Sequence, residues 1–234
     1  YQRLVDKDRL SATDRDAALG RLDAGTDLDV LADADLVIEA VVESLDIKSA
    51  VFGEIADLAG PSTILASNTS SISITALAGT VPHPERFAGM HFFNPVPVMQ
   101  LVEVVRGLQT SDATVETIQF VAAKMGKTAV TVDDQPGFVA NRILMPMINE
   151  AVFTLADGVA SAEEIDTVMR LGASHPMGPL ALADLIGLDV CLHIMEVLHA
   201  DFGDDKYRPA PLLRKMVAAG RLGRKSGQGF HSYE

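Results

Sequence analysis

The chain has 234 residues, 48% hydrophobic and 22% charged, so it is long enough to bury a core without disulfides or bound metals. Its formal net charge of −13 argues against binding the phosphate backbone of a nucleic acid, and its one cysteine, Cys191, excludes an internal disulfide framework. No apolar stretch is long enough to span a bilayer and residues 1–7 lack a signal-peptide pattern, so we expect a cytoplasmic protein that binds neither nucleic acid nor membranes.

Strand and helix signals alternate through the first half of the chain. Amphipathic helices are predicted at Leu10–Leu22, Leu45–Leu58 and Asp112–Met125. Apolar runs rich in β-branched residues predict buried strands at residues 35–42, 63–67, 87–93, 101–105 and 128–132. Mixed strands and helices of this kind favour a doubly wound α/β sheet.

The pattern changes after Asp133, because the rest of the chain carries only helical signals. A long apolar helix is predicted at Phe138–Ala156. Ser161 and Glu164 form a capping box that opens the next helix, which Gly172 ends. Further helices are predicted within residues 180–202 and 212–219. We therefore predict two domains, residues 1–133 with the sheet and residues 134–234 with helices alone.

Two segments carry residue types suited to chemistry. Small polar residues follow the predicted strand that ends at Ser67, and carboxyl ends of parallel strands are where open α/β sheets bind ligands. His91 ends another predicted strand, and Glu103 lies on the next one. An imidazole can transfer protons near neutral pH, and a neighbouring carboxylate can fix its tautomer. From spacing alone, a hydrogen-bonded structural histidine and a solvated glutamate remain open alternatives.

The run from His91 to Val104, HFFNPVPVMQLVEV, resembles the signature of the L-3-hydroxyacyl-CoA dehydrogenase family. Four other segments resemble the same family in the same order: residues 35–43, 66–71, 136–142 and 172–179. The resemblance covers nearly the whole chain. It implies a Rossmann-type NAD-binding domain followed by an all-α domain, and an enzyme that interconverts L-3-hydroxyacyl-CoA and 3-oxoacyl-CoA.

The resemblance also implies roles for individual residues. His91 would be the general base and Glu103 the carboxylate that orients it. Ser70 would hydrogen-bond the oxygens of the substrate, and Asn141 would contact the substrate at the junction of the domains. Glu43, Lys48, Asn68 and Ser70 would line the nicotinamide-ribose side of the cofactor site, and Lys225 would reach the cofactor from the second domain. We expect no metal site.

A Rossmann-type domain opens with a strand, a glycine-rich turn and a helix, and no G-x-G-x-x-G precedes the strand at Asp35. The first domain is therefore predicted to lack its first βαβ unit here. We expect these 234 residues alone to bind the cofactor weakly, because no helix N-terminus with a glycine turn would receive the pyrophosphate. NAD is expected, and NADP is not excluded.

The substrate side is less specific in the sequence. Arg3 and Lys7, four residues apart, would share a helix face that suits the phosphates of coenzyme A, although a solvated face explains them equally well. Residues 205–214 resemble bacterial 3-hydroxybutyryl-CoA dehydrogenases more than animal mitochondrial enzymes, which implies a short acyl chain. The resemblance further implies a homodimer formed through the helical domain.

Three alternative functions fit parts of the sequence. A related sugar-acid dehydrogenase would share the fold but not the His-Phe-Phe-Asn-Pro-Val motif. A non-catalytic member of the fold would not need His91, Glu103, Ser70 and Asn141 together. A piece of a multifunctional β-oxidation protein is disfavoured, because Phe230–Glu234 resembles the end of single-function relatives.

Overall fold

The computed structural model describes residues 1–233, which begin with two short helices, α1 (Gln2–Val5) and α2 (Ala12–Leu19). A five-stranded sheet follows. Its strands are β1 (Leu36–Glu39), β2 (Ile64–Ser67), β3 (Phe87–Phe92), β4 (Leu101–Arg106) and β5 (Thr128–Asp133). Three helices connect them: α3 (Leu45–Leu58), α4 (Ile74–Ala78) and α5 (Asp112–Lys124).

The strands lie in the order β1-β2-β3-β4-β5. The pairs β1–β2, β2–β3 and β4–β5 are parallel, whereas β3 and β4 are antiparallel. The connection between β3 and β4 can therefore be an eight-residue loop, because no crossover helix is needed. This mostly parallel sheet with helices confirms the predicted α/β class.

Two apolar cores cover the two faces of the sheet. On one face α3 and α4 pack on the strands, where the rings of Phe52 and Phe87 meet edge to face with centroids 4.7 Å apart. On the other face α5 packs through Ile118 against Met90. The sheet is thus shielded on both sides, as parallel strands require.

The remaining chain is helical and has a core of its own around Leu180, Leu188 and Met195. Its helices are α6 (Ala140–Ala156), α7 (Ala162–Gly172), α8 (Pro179–Ile186), α9 (Leu188–Phe202) and α10 (Pro211–Ala218). The run at residues 180–202, predicted to hold one or two helices, forms two, because Gly187 between them has φ +106°. Within residues 1–233, no helix is long and apolar enough to cross a membrane.

Two local features differ from the sequence-based expectations. The helix predicted at residues 10–22 is only α2, which Ser11 caps at its start and Gly20 follows at its end. The five-residue helix α4 was not predicted. Its first N–H groups, those of Ile74 and Thr75, donate to the carboxylate of Asp134, 60 residues later in the chain. A cap supplied from so far away leaves no local sequence signal.

Candidate active site

His91 and Glu103 stand directly opposite each other in the antiparallel pair β3–β4. Residues paired in this way place their side chains on the same face of the sheet. Nδ1 of His91 lies 2.8 Å from Oε2 of Glu103, and both residues are buried. Since the carboxylate accepts the proton on Nδ1, Nε2 is the ring nitrogen left to exchange a proton with a substrate.

The second carboxylate oxygen of Glu103 is also hydrogen-bonded. The backbone N–H groups of Val139 and Ala140, at the start of α6, donate to Oε1 over 3.1 and 3.0 Å. A helix N-terminus presents free N–H donors and a partial positive charge, both of which favour a carboxylate. Glu103 is therefore fixed at both oxygens, and it fixes the imidazole in turn.

Two phenylalanines enclose the imidazole. The ring centroid of His91 lies 4.7 Å from that of Phe93 and 5.7 Å from that of Phe138. Phe138 is buried and has φ +49°, and Gly137 before it has φ +73°. A Cβ on Gly137 would lie 2.8 Å from Leu198 and 3.0 Å from the backbone nitrogen of Arg142, so only glycine fits. This left-handed turn leads the chain from β5 into α6 and lays Phe138 beside His91.

Glu43 organises the polar loop after β2. Its Oε1 accepts hydrogen bonds from the Thr69 hydroxyl, the Ser70 N–H, and both the N–H and the hydroxyl of Ser71, over 2.6–3.1 Å. Partial burial alone would raise the pKa of Glu43, but these bonds and the charge of Lys48 outweigh it and hold the pKa below its ordinary value. Glu43 thereby fixes the backbone that carries Ser70.

Asn141 joins the helical part of the chain to the same loop. It lies in the first turn of α6, it is buried, and its Nδ2 donates to the backbone carbonyl of Ser70 over 3.0 Å. Asn141 and Ser70 both line the cleft described next. The two residues predicted to contact the substrate, Ser70 through its oxygens and Asn141 at the junction of the domains, are thus in direct contact, although the contacting group of Ser70 is its backbone.

A cleft of about 990 Å³ lies between the sheet and the helices. Its sheet side includes Glu43, Ser70, His91 and the start of the β3–β4 loop. Its helical side is mostly apolar and comes from α6, α8 and α9: Leu144, Met145, Leu182, Leu185, Ile186, Val190 and Ile194. This volume is in the range of sites that take cofactors and small-molecule substrates. His91 of the buried dyad therefore faces a space large enough for a small-molecule ligand.

Models of two protein domains match this chain. The NAD-binding domain of 3-hydroxyacyl-CoA dehydrogenase matches residues 1–135, and the C-terminal domain of 3-hydroxyacyl-CoA dehydrogenase matches residues 137–233. The chain belongs to the 3-hydroxyacyl-CoA dehydrogenase family. The family assignment from the HFFNPVPVMQLVEV run is thus confirmed, as are the dehydrogenase class and NAD as cofactor.

Individual relatives agree with the family. A probable 3-hydroxybutyryl-CoA dehydrogenase of Deinococcus radiodurans is 60% identical over 93% of this chain and 78% of its own length. A 3-hydroxybutyryl-CoA dehydrogenase of Bradyrhizobium diazoefficiens is 54% identical over 99% of this chain and 79% of its own. The crystal structure of the (S)-3-hydroxybutyryl-CoA dehydrogenase of Ralstonia eutropha superposes with a TM-score of 0.97 at 54% identity, covering 100% of this chain and 82% of that one.

The residues predicted on the cofactor side occupy different environments in this dehydrogenase. Glu43 and Ser70 line the cleft. Lys48 is buried, with its ammonium 2.7 Å from Oε1 of Glu39 and 3.4 Å from Glu43. Asn68 uses its Oδ1 to accept the N–H of Phe92, which ties the end of β2 to the end of β3. Direct cofactor contact by Lys48 and Asn68 stays a prediction, and the structure adds a supporting role for each.

Lys225 does not itself line the cleft but is paired with a residue that does, and its contact with the cofactor stays a prediction. Its Nζ is 2.6 Å from Oδ2 of Asp189, which itself lines the cleft. Burial would raise the pKa of Asp189, but the hydrogen bond and charge of Lys225 outweigh it and lower that pKa. The ammonium is therefore held in the helical wall by an ion pair that the sequence did not reveal.

The expectation that Arg3 and Lys7 share a helix face is wrong. Helix α1 ends at Val5, and Lys7 lies in the turn after it. Both residues are exposed and neither lines the cleft. Asp8 has φ +53°, a left-handed conformation that a helix cannot contain, and the chain turns there toward α2. Their binding to coenzyme A phosphates stays a prediction without support from this geometry.

The sequence did not indicate a buried carboxylate beside the site or two polar residues of the cleft itself. Glu39 binds both Lys48 and the Ser67 hydroxyl at the carboxyl ends of β1 and β2. His193, which the sequence gave no reason to single out, lines the cleft from α9 together with Asp189. Asp189 and His193 are four residues apart and so share a face of α9, a spacing that could have indicated a polar stripe on an apolar helix.

Cys191, on the same helix, faces the core instead. Burial and the nearby Asp189 and Asp184 raise the pKa of its thiol to about 12, so it is no nucleophile.

Proposed function

We propose that this dehydrogenase oxidises short-chain L-3-hydroxyacyl-CoA to 3-oxoacyl-CoA, and catalyses the reverse reduction, with His91 as the general base. The observation that carries the proposal is the buried His91–Glu103 pair at the cleft. Oxidation of a secondary alcohol removes a hydroxyl proton and a hydride together. Nε2 of His91 takes the proton, and in the reverse direction the imidazolium returns it to the ketone oxygen.

Glu103 is the orienting partner. With Nδ1–H held by Oε2, the imidazole keeps the tautomer in which Nε2 has a free lone pair. The negative charge of the carboxylate also stabilises the imidazolium that forms as the alcohol is oxidised. The two N–H donors from α6 keep Glu103 in place during both steps.

Ser70 and Asn141 are proposed to position the oxygens of the substrate. Both line the cleft near His91, and the Asn141–Ser70 hydrogen bond holds them together. NAD, when bound, supplies the acceptor for the hydride that leaves the carbinol carbon. Glu43 and Ser70, which line the cleft beyond the carboxyl ends of β1 and β2, fit a nicotinamide ribose through their carboxylate and hydroxyl groups.

The acyl chain is proposed to be short, as in 3-hydroxybutyryl-CoA and acetoacetyl-CoA. The relatives from Deinococcus, Bradyrhizobium and Ralstonia, at 54–60% identity, are all named for 3-hydroxybutyryl-CoA. The similarity of residues 205–214 to bacterial enzymes points the same way. A place in fatty-acid β-oxidation and a cytoplasmic location are proposed on the family alone.

We also propose that the division at residue 133 separates a cofactor domain from a substrate and dimerisation domain. A dimer through the helical domain is supported by large apolar side chains that remain exposed there: Val139, Ile143, Val168 and Leu171 are each at least half exposed. Sedimentation of the protein tests the dimer. A monomer at micromolar concentration would refute it.

The assay that tests the function follows NADH absorbance with acetoacetyl-CoA, using the protein as its gene encodes it. Acetoacetate without coenzyme A and a sugar acid with NAD are run in parallel. Activity confined to the coenzyme A thioesters supports the proposal. Turnover of the sugar acid alone would favour the sugar-acid dehydrogenase alternative, and no turnover with tight NADH binding would favour a non-catalytic member of the fold.

A further inference from the structure

In the part of the chain that the structure describes, one side chain from outside the β3–β4 loop, residues 93–100, hydrogen-bonds to it. Nζ of Lys127 donates to the backbone carbonyls of Val96 and, over 2.5 Å, of Met99. Within the loop, the N–H groups of Val98 and Met99 donate to the carbonyl of Pro95. The loop is therefore a tight turn in which the carbonyls of Val96 and Met99 both accept hydrogen bonds from the ammonium of Lys127.

This loop is also a wall of the cleft. Phe93, Asn94, Pro95 and Met99 line the cleft, and Phe93 contacts the ring of His91. The side chains of Val98 and Met99 remain exposed to solvent. A loop of this kind has few buried contacts to define its shape, so its conformation depends on the groups that bind its backbone.

The backbone of Lys127 is fixed on both sides. Helix α5 ends in a Schellman motif, in which Gly126 has φ +72° and donates to Ala123 while the N–H of Lys127 donates to Ala122. The next residue, Thr128, begins β5 and its N–H donates to the carbonyl of Gln100, the last residue of the loop. Lys127 is half-buried and stands as a rigid support beside the loop.

We propose that Lys127 is a positioning residue for the acyl-CoA substrate: it holds the β3–β4 loop in the shape that forms the substrate side of the cleft. The inference rests on the proposed function. Lys127 makes no hydrogen bond to His91 or Glu103, whose own hydrogen bonds come from the strands and from α6. Its loss therefore changes the binding of the substrate and leaves the proton transfer intact.

The test compares Lys127→Met with Lys127→Arg and Lys124→Met. Methionine keeps the length and removes the charge and the donors, whereas arginine keeps both a charge and several donors. Lys124, one turn earlier and exposed, stacks over Phe120 and serves as the matched control. Steady-state kinetics with acetoacetyl-CoA and NADH, and NADH binding by fluorescence, are measured for each protein as its gene encodes it.

Lys127→Met is expected to raise KM for acetoacetyl-CoA about fivefold, because a loop that keeps the binding shape a fifth of the time weakens apparent affinity by that factor. kcat and the Kd for NADH stay within about twofold, Lys127→Arg recovers most of the loss, and Lys124→Met behaves as the unaltered protein. An unchanged KM in Lys127→Met would overturn the inference. A lower kcat accompanied by a lower melting temperature would also overturn it. Absence of acyl-CoA turnover in the unaltered protein would instead overturn the proposed function.

Discussion

Nδ1 of His91 lies 2.8 Å from Oε2 of Glu103, on residues that pair directly across β3 and β4. The first prediction concerns Glu103→Gln. The N–H groups of Val139 and Ala140 require an acceptor, so the glutamine must turn its oxygen toward them and its NH₂ toward His91. Nδ1 then becomes an acceptor, the proton moves to Nε2, and the base is lost. We expect the activation free energy to rise by on the order of 2–5 kcal/mol, with kcat falling accordingly.

A double-mutant cycle on kcat checks this coupling. His91→Gln should be at least as damaging as Glu103→Gln, and the double variant should be scarcely worse than the worse single variant, because residues that act as a unit are non-additive. NADH affinity is measured separately for each variant. Fully additive losses, or near-native kcat in Glu103→Gln, would show that the two residues do not form a catalytic dyad.

The second prediction concerns acid stability and Glu43. Its pKa is lowered in the folded state, so its carboxylate stabilises the fold above the ordinary value of 4.5 and this contribution is lost as the pH falls through the lowered pKa. Glu43→Gln should therefore be less stable than the unaltered protein at neutral pH, and the difference should shrink below about pH 4.5. Urea unfolding between pH 7 and pH 3 measures it.

Glu54 provides the control for Glu43, because it lies on α3 and is exposed. Glu54→Gln should leave the free energy of unfolding unchanged across this pH range. A stability difference for Glu43→Gln that persisted unchanged to pH 3 would mean that the hydrogen bonds to Thr69, Ser70 and Ser71 do not depend on the carboxylate charge.

Third, Asn141→Ala should lower kcat/KM for acyl-CoA by roughly tenfold, since a lost buried hydrogen bond costs about 1–3 kcal/mol. The affected bond is the one from Nδ2 to the carbonyl of Ser70. Asn149 is a matched control on the same helix: it is also buried, and it bonds to Arg208 and Ala210 away from the cleft. Asn149→Ala should lower the melting temperature and spare kcat/KM. Equal kinetic losses in both variants would assign Asn141 a purely structural role.

Fourth, kcat/KM should be higher for acetoacetyl-CoA than for a medium-chain 3-oxoacyl-CoA. The expectation follows from the names of the relatives at 54–60% identity and from residues 205–214. NADH oxidation with 3-oxoacyl-CoA thioesters of increasing length gives the ratio directly. Preference for the longer acyl chain would contradict the proposed substrate while leaving the family assignment untouched.

The sequence predicted the strands and helices better than the long-range hydrogen bonds that hold the site. Helix α3 was predicted with its observed ends, and the strands were predicted within a few residues, because long apolar runs carry a strong local signal. The sequence placed His91 and Glu103 on consecutive strands. That they pair directly opposite each other depends on β3 and β4 being antiparallel. Periodicity does not encode strand direction, so this detail needed coordinates.

The supports of the site could not be predicted from local patterns. Glu43 binds a loop 26–28 residues later, and Glu103 binds backbone N–H groups 36 and 37 residues later. A carboxylate gives no sign in the sequence of which distant N–H groups it will meet. The same holds for Lys127, whose two acceptors are backbone carbonyls and so are independent of the side chains at Val96 and Met99.

The carboxylate of Glu103 bonds to the catalytic imidazole and to the helical part of the chain at the same time. One oxygen sets the imidazole of His91, and the other anchors the first turn of α6, from which the whole helical part of the chain continues. Displacement of the first turn of α6 from the sheet would remove the two N–H donors that hold Oε1 of Glu103. The orientation of the imidazole and the position of the helical part are therefore coupled through the two oxygens of one carboxylate.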